Sequence, residues 1–137
     1  MIMSKYLSQD KINEKKLQLE WRIKQCFAPF GEAYPNVLSC SITYSRKADG
    51  AGGWYGDKTS HTIKVSMFDS SMVTIPCVNS DCTKGYFDLK DIIRDMISHH
   101  ETDRQGKIVC DGYQDAERID VHQCLCELKF EIHIEYK

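Results

Sequence analysis

Five of the seven cysteines in the chain lie within residues 77–126, and their spacing is typical of ligands for a metal ion. Cys77 and Cys82 enclose four residues, among which Asn79, Ser80 and Asp81 favour a tight turn. Such a turn presents two thiolates on one side, and a zinc site needs four ligands at about 2.3 Å from the ion. The segment therefore predicts half of a zinc site, which cysteines from elsewhere in the chain would complete.

Cys110 and Cys124 are the cysteines best placed to complete that site. Each adjoins a predicted strand, and neighbouring strand ends of an antiparallel sheet would bring both thiols beside the turn. Cys126 projects from the same face as Cys124 but about 7 Å further along, so it is an alternative ligand, as is His122. We expect a structural Zn²⁺ ion with no open position for catalysis. The predicted ligands are Cys77, Cys82, Cys110 and Cys124.

The role of the cysteines also depends on the redox compartment. The chain has no apolar stretch of signal-peptide or membrane-spanning length, so we expect a cytoplasmic location and no membrane partner. Disulfides are not expected in that reducing compartment, and no Cys-x-x-Cys motif indicates a redox pair. Cys26 and Cys40 stand apart in apolar patterns and are predicted to be core residues. The alternative to metal binding is that the clustered cysteines also merely fill the core.

Two segments with regular periodicity would position the cysteines. Apolar residues recur at helical spacing between residues 89 and 97, which predicts a helix over residues 88–100 with Asp88 capping its first turn. From Cys124 to Tyr136 apolar residues occupy every second position. That alternation is typical of a central strand with one face on the core and the other in water.

The first half of the chain carries weaker signals. Residues 10–28 fit both a helix and a strand, and their Lys, Gln, Glu and Arg content favours a helix, with Trp21 opposite its core face. Apolar residues alternate over 38–44, which predicts a strand. They alternate again over 63–67 and 73–77, which predicts a β-hairpin. The glycine-rich stretch 45–60 predicts a hairpin loop, in which Trp54 and Tyr55 are candidates for a recognition surface.

These elements together predict an α+β fold. We expect an antiparallel sheet of about five strands, an N-terminal helix, the helix over 88–100, and the zinc site at one end of the sheet. A length of 137 residues suits a single domain, 1–137, that contains the zinc-type cysteine segment 77–126. The content of 42% hydrophobic and 28% charged residues argues against disorder, and the net charge of −2 argues against a broad nucleic-acid-binding field.

The cysteine segment also resembles a known group of proteins. The resemblance is carried by Cys77-Val78-Asn79, Cys82, Gly85-Tyr86-Phe87-Asp88-Leu89, Cys110-Asp111-Gly112-Tyr113-Gln114-Asp115, Arg118 and Cys124-Leu125. Over residues 76–136 this pattern is similar to that of a group of small bacterial proteins without an assigned activity. The resemblance implies a shared metal-binding fold with ligands at the four cysteines named above, and it implies no catalytic residues.

Three functions are compatible with these features. The first, which we favour, is a zinc-stabilised, non-enzymatic module that binds or assists another protein. The second is a nucleic-acid-binding zinc protein, but most of the basic residues that could serve it have acidic neighbours. Those basic residues are Lys84, Lys90, Arg94, Arg104, Lys107 and Arg118. The third is a small enzyme that uses Asp111, Asp115, Arg118 and His122 in a cleft beside the sheet, although turns are polar by default. The sequence leaves the oligomeric state open.

Overall fold

The computed structural model describes residues 9–50, 53–78, 82, 85–110, 113–114, 122–124 and 126–137. Its elements are α1 (Gln9–Lys24), α2 (Phe30–Ala33), β1 (Val37–Gly50), β2 (Gly53–Gly56), β3 (His61–Lys64), β4 (Thr74–Pro76), β5 (Tyr86–Asp88), α3 (Lys90–Ser98), β6 (Asp103–Val109), β7 (Tyr113–Gln114), β8 (His122–Gln123) and β9 (Glu127–Tyr136). The fold is α+β, as predicted. In the described part of the chain, none of the helices combines the length and apolar character needed to cross a lipid bilayer.

Strand β9 lies in the middle of the main sheet. The strand order is β2-β1-β9-β6, with β3 also pairing with β1, and all of these pairs are antiparallel. Along β9 buried and exposed residues alternate, and the buried ones are Leu128, Phe130, Ile132 and Ile134. The prediction of a central strand with one face in water is therefore confirmed, because side chains on a strand alternate between faces.

Helix α3 contributes to the same hydrophobic core as β9. Ile93 and Met96 are fully buried on its inner face. At its start, Asp88 Oδ1 accepts a hydrogen bond from the N–H of Lys90 at 2.8 Å, but the N-cap position is Leu89, one residue later than predicted, and it makes no side-chain cap bond. The helical segment ends at Ser98, so the prediction over 88–100 holds with slightly shorter bounds.

The predicted hairpin between residues 63–67 and 73–77 is wrong. Strand β3 pairs with β1, where Ile63 lies opposite Ile42. Strand β4 pairs instead with β5, and these two form a separate two-stranded sheet. Alternation shows which residues share a face, but it does not show which strand lies alongside.

The glycine-rich stretch 45–60 contains more regular structure than predicted. Strand β1 continues to Gly50, and Gly53–Gly56 pairs back onto it, so the hairpin is confirmed but the stretch is largely strand. The side chains of Trp54 and Tyr55 lie outside the described residues. Their predicted recognition role therefore stays a prediction.

Helix α1 confirms the predicted N-terminal helix, but polar side chains attach it to the rest of the chain. Lys16 Nζ donates to the carbonyl oxygen of Cys82 at 2.6 Å, and Thr74 Oγ1 donates to Glu20 Oε1 at 2.5 Å. Trp21 is 63% exposed, consistent with its predicted position away from the core face. Leu19 of the same helix is 59% exposed.

The burial of the isolated cysteines and of the start of β1 can also be compared with the prediction. Cys40 is buried in β1, as predicted. Cys26 follows the end of α1 and is exposed, so its prediction as a core residue is wrong. Leu38 is also exposed while Val37 is buried. A register shift between Val37 and Ser39 marks a β-bulge, which reverses the alternation at that point.

Candidate metal centre

Four cysteine thiols come together at one end of the sheet. The Sγ atoms of Cys77, Cys82, Cys110 and Cys124 all lie within 4.8 Å of one another. The separation is 3.5 Å between the sulfurs of Cys77 and Cys124, and 3.5 Å between those of Cys82 and Cys110. None of the four belongs to a disulfide. These are the four residues whose spacing predicted a metal site.

The main sheet positions Cys110. Val109 at the end of β6 pairs with Glu127 at the start of β9, and Cys110 follows directly. The N–H of Cys110 then donates to the carbonyl oxygen of Cys126 at 2.8 Å. This bond continues the ladder past the last strand pair, and it places Cys110 beside the segment that contains Cys124.

Hydrogen bonds to the backbone of Gly85 position Cys77 and Cys82. The N–H of Cys77 donates to the carbonyl oxygen of Gly85 at 2.9 Å, and the N–H of Gly85 donates to Cys82 Sγ at 3.3 Å. Gly85 has φ +81°, a conformation that glycine adopts without a steric penalty. A hydrogen bond from a backbone N–H favours the thiolate form of a cysteine, which is the form that binds metal.

The spacing of the sulfurs fits one tetrahedral ion. Metal–sulfur bonds of about 2.3 Å in a tetrahedron place the sulfurs about 3.8 Å apart, within the range of the observed separations of 3.5 to 4.8 Å. In a 4Fe–4S cluster each cysteine binds a different iron, and in a 2Fe–2S cluster two cysteines bind each iron, so in either case cysteine sulfurs on different irons would lie further apart. The group therefore has the dimensions of a mononuclear site.

Burial and mutual hydrogen bonding alter the acidity of these thiols. Cys82, Cys110 and Cys124 are buried, whereas Cys77 is half-buried. Hydrogen bonding, first with Cys110, lowers the pKa of the Cys82 thiol well below its usual range and lowers that of Cys124 to about 7. It raises the pKa of Cys77, again first through Cys110. Metal binding would displace the protons that remain on the thiols.

Of the two alternative ligands, Cys126 and His122, the structure describes the side chain of Cys126, and it is not a member of the four-sulfur group. Cys126 is fully buried, and its sulfur accepts a hydrogen bond from the N–H of Val78. Its pKa is lowered first by hydrogen bonding with Cys77, then by Val78 and by the charge of Arg46. His122 lies in β8, and its side chain is outside the described residues. Cys126 is thus a buried neighbour of the site.

The other predicted site residues fall into two sets. Three members of the proposed polar cluster, Asp111, Asp115 and Arg118, lie outside the described residues, as does Lys84. The four described members of the predicted basic set form ion pairs with carboxylates, which reduces the positive field that nucleic acid would require. These pairs are Lys90 with Asp88 and Asp91, Arg94 with Asp91, Arg104 with Asp95 and Glu101, and Lys107 with Glu127.

Two cations beside the metal centre were missed by the sequence prediction. Lys16 Nζ donates to the carbonyl oxygen of Cys82, and Arg46 Nη1 donates to that of Pro76 at 2.9 Å. The partners are 66 and 30 residues apart in the chain. No local sequence pattern relates residues at such separations, so only the tertiary structure identifies these contacts.

Comparison of the chain with protein-family models, curated proteins and solved structures gives no match. The assignment of the site therefore rests on its geometry and on the chemistry of its four sulfur donors.

Proposed function

We propose that the protein is a zinc-stabilised module in which Cys77, Cys82, Cys110 and Cys124 hold one structural Zn²⁺ ion, and that it functions by binding another protein. The observation that supports the metal site is the convergence of four cysteine sulfurs within 4.8 Å. Zinc is the ion we favour, because four thiolates in a tetrahedron are the usual ligands of structural zinc. Four thiolates also leave no open position for a substrate.

Metal analysis of the purified chain tests the zinc assignment. We expect about one zinc per chain after purification without a metal-chelating tag, since a closed site binds a single ion. Cobalt substitution should give the absorption bands of tetrahedral thiolate coordination. Iron in place of zinc would reassign the ion within the same site, and a folded chain without metal would refute the proposal.

Exposed aromatic residues support a protein partner. Phe68 is 92% exposed and Trp21 is 63% exposed. Both line one surface depression together with Gln25 and Val65. Aromatic residues are enriched at protein–protein interfaces, and clustered exposed apolar groups on a soluble protein mark interaction sites. Nucleic acid is the weaker candidate, because Lys90, Arg94, Arg104 and Lys107 each form ion pairs with carboxylates.

Site-specific photo-cross-linking tests the protein-binding role. A photoreactive phenylalanine analogue at Phe68 should form a discrete protein adduct in cells, and Trp21→Ser should abolish it. The same analogue at Val109, which is 53% exposed, serves as the matched control. Adducts that contain nucleic acid would contradict this role, as would the same adducts from both positions.

A further inference from the structure

Two positive side chains from distant elements reach backbone carbonyls at the candidate metal centre. Lys16 of α1 donates to the carbonyl oxygen of Cys82 at 2.6 Å. Arg46 of β1 donates through Nη1 to the carbonyl oxygen of Pro76 at 2.9 Å. Pro76 directly precedes Cys77. A cation therefore contacts the backbone at each of the two cysteines of the turn.

The Arg46 side chain is held in place independently of the cysteines. Asp57 Oδ2 accepts from Arg46 Nε at 2.8 Å, and Asp57 Oδ1 accepts from Nη2 at 3.0 Å. The two side chains are only 16% and 9% exposed. A bidentate pair of this kind fixes the plane of the guanidinium group. Nη1 is then directed at Pro76 before any metal binds.

The negative charge of a zinc tetrathiolate suggests a function for the contacts of Lys16 and Arg46. Four thiolates around one Zn²⁺ ion carry a net charge of about −2, and burying an uncompensated charge is unfavourable. Cys82 and Cys124 are buried. Lys16 supplies a positive charge at the Cys82 carbonyl, whereas Arg46, whose charge is paired with Asp57, supplies an N–H donor at the Pro76 carbonyl.

We propose that Lys16 and Arg46 are positioning residues of the metal centre, which orient the peptide groups of Cys77 and Cys82, and that Lys16 also offsets part of the charge of a zinc tetrathiolate. This inference rests on the proposed function. It also couples the metal to α1, because the Cys82 carbonyl that Lys16 binds belongs to a metal ligand. Binding of zinc therefore stabilises the attachment of α1 to the rest of the chain.

Zinc affinity, measured by competition with a chromophoric chelator, tests whether Lys16 and Arg46 support the metal centre. Lys16→Met and Arg46→Gln should each weaken zinc binding roughly 10- to 100-fold, the usual effect of removing a group that supports metal ligands. Lys16→Arg keeps the charge and should recover most of the affinity, whereas Arg46→Lys loses the bidentate pair with Asp57 and should recover little of it. Lys15→Met and Lys47→Gln, at exposed neighbouring positions, are the matched controls and should bind zinc like the wild type.

Hydrogen exchange of the α1 amides tests whether zinc binding stabilises the attachment of α1. Removing zinc from the wild type should accelerate amide exchange within residues 14–24, and Lys16→Met should do so with zinc still bound. Wild-type zinc affinity in both Lys16→Met and Arg46→Gln would overturn the inference and leave the proposed function intact. An equal loss of affinity in the controls would also overturn it. A wild-type chain that binds no metal would refute the proposed function itself.

Discussion

Replacing Cys110 by serine tests the metal centre against a closely matched control. Cys110 and Cys40 are both buried, at 3% and 2% exposure. Serine at either position places a hydroxyl group in the core, which costs about 1–3 kcal/mol. Cys110 belongs to the four-sulfur group, with the Cys82 sulfur at 3.5 Å, whereas Cys40 lies within β1 outside that group. The difference between the two variants therefore isolates the contribution of the metal.

The expected difference in stability between the two variants follows from the free energy of metal binding to the folded chain. A metal that binds only the folded chain stabilises it by about 4 kcal/mol when its free concentration is 1000 times Kd. For a chain of this length, 1 kcal/mol corresponds to roughly 3–5 °C in Tm. The Cys110→Ser variant should thus melt roughly 12–20 °C below the Cys40→Ser variant in the presence of zinc.

This difference in Tm can be measured by thermal denaturation monitored with circular dichroism, first with zinc and then after chelation. Chelation should lower the Tm of the wild type and of Cys40→Ser by similar amounts and leave Cys110→Ser nearly unchanged. The reasoning would be refuted if chelation shifted all three proteins equally, or if Cys110→Ser kept one tightly bound zinc.

Three further outcomes test the structure away from the cysteines. The pKa of Asp57 lies at about 2, below its ordinary value of 3.8, mainly because of its hydrogen bond with Arg46. The pair therefore contributes stability above about pH 4 that is lost as the pH falls towards 2, and urea titrations should show a steeper acid loss for the wild type than for Asp57→Asn. Gly56 has φ +147°, and a Cβ there would overlap the carbonyl oxygen of Arg46. Gly56→Ala should therefore cost roughly 2 kcal/mol or more in chemical denaturation, and an unchanged midpoint would contradict the β1–β2 geometry. Hydrogen bonding with Asp103 raises the pKa of His133 above 6.5; NMR titration should show this, and Asp103→Asn should return the value towards 6.5.

Local periodicity was sufficient to predict the types of the elements with one face in the core. The alternation in β9 and the helical spacing in α3 each reflect burial of a single face, so their side-chain patterns show their conformation directly. Pairing of strands was not predictable in this way. Ile63 and Ile75 both lie in alternating runs, yet one strand joins β1 and the other joins β5. Partner choice depends on long-range packing, which local alternation does not encode.

For the candidate metal centre, the cysteine types and spacing by themselves determined which four residues to consider. Turn-forming residues between Cys77 and Cys82 and the strand beside Cys110 indicated these four through local geometry, with Cys126 and His122 as alternatives, and the tertiary structure then placed Cys126 outside the four-sulfur group. Only the tertiary structure brought Lys16 and Arg46 to the backbone of that turn. These contacts depend on the path of the chain between α1, the sheet and the cysteine segment, and that path is decided by the packing of the whole molecule.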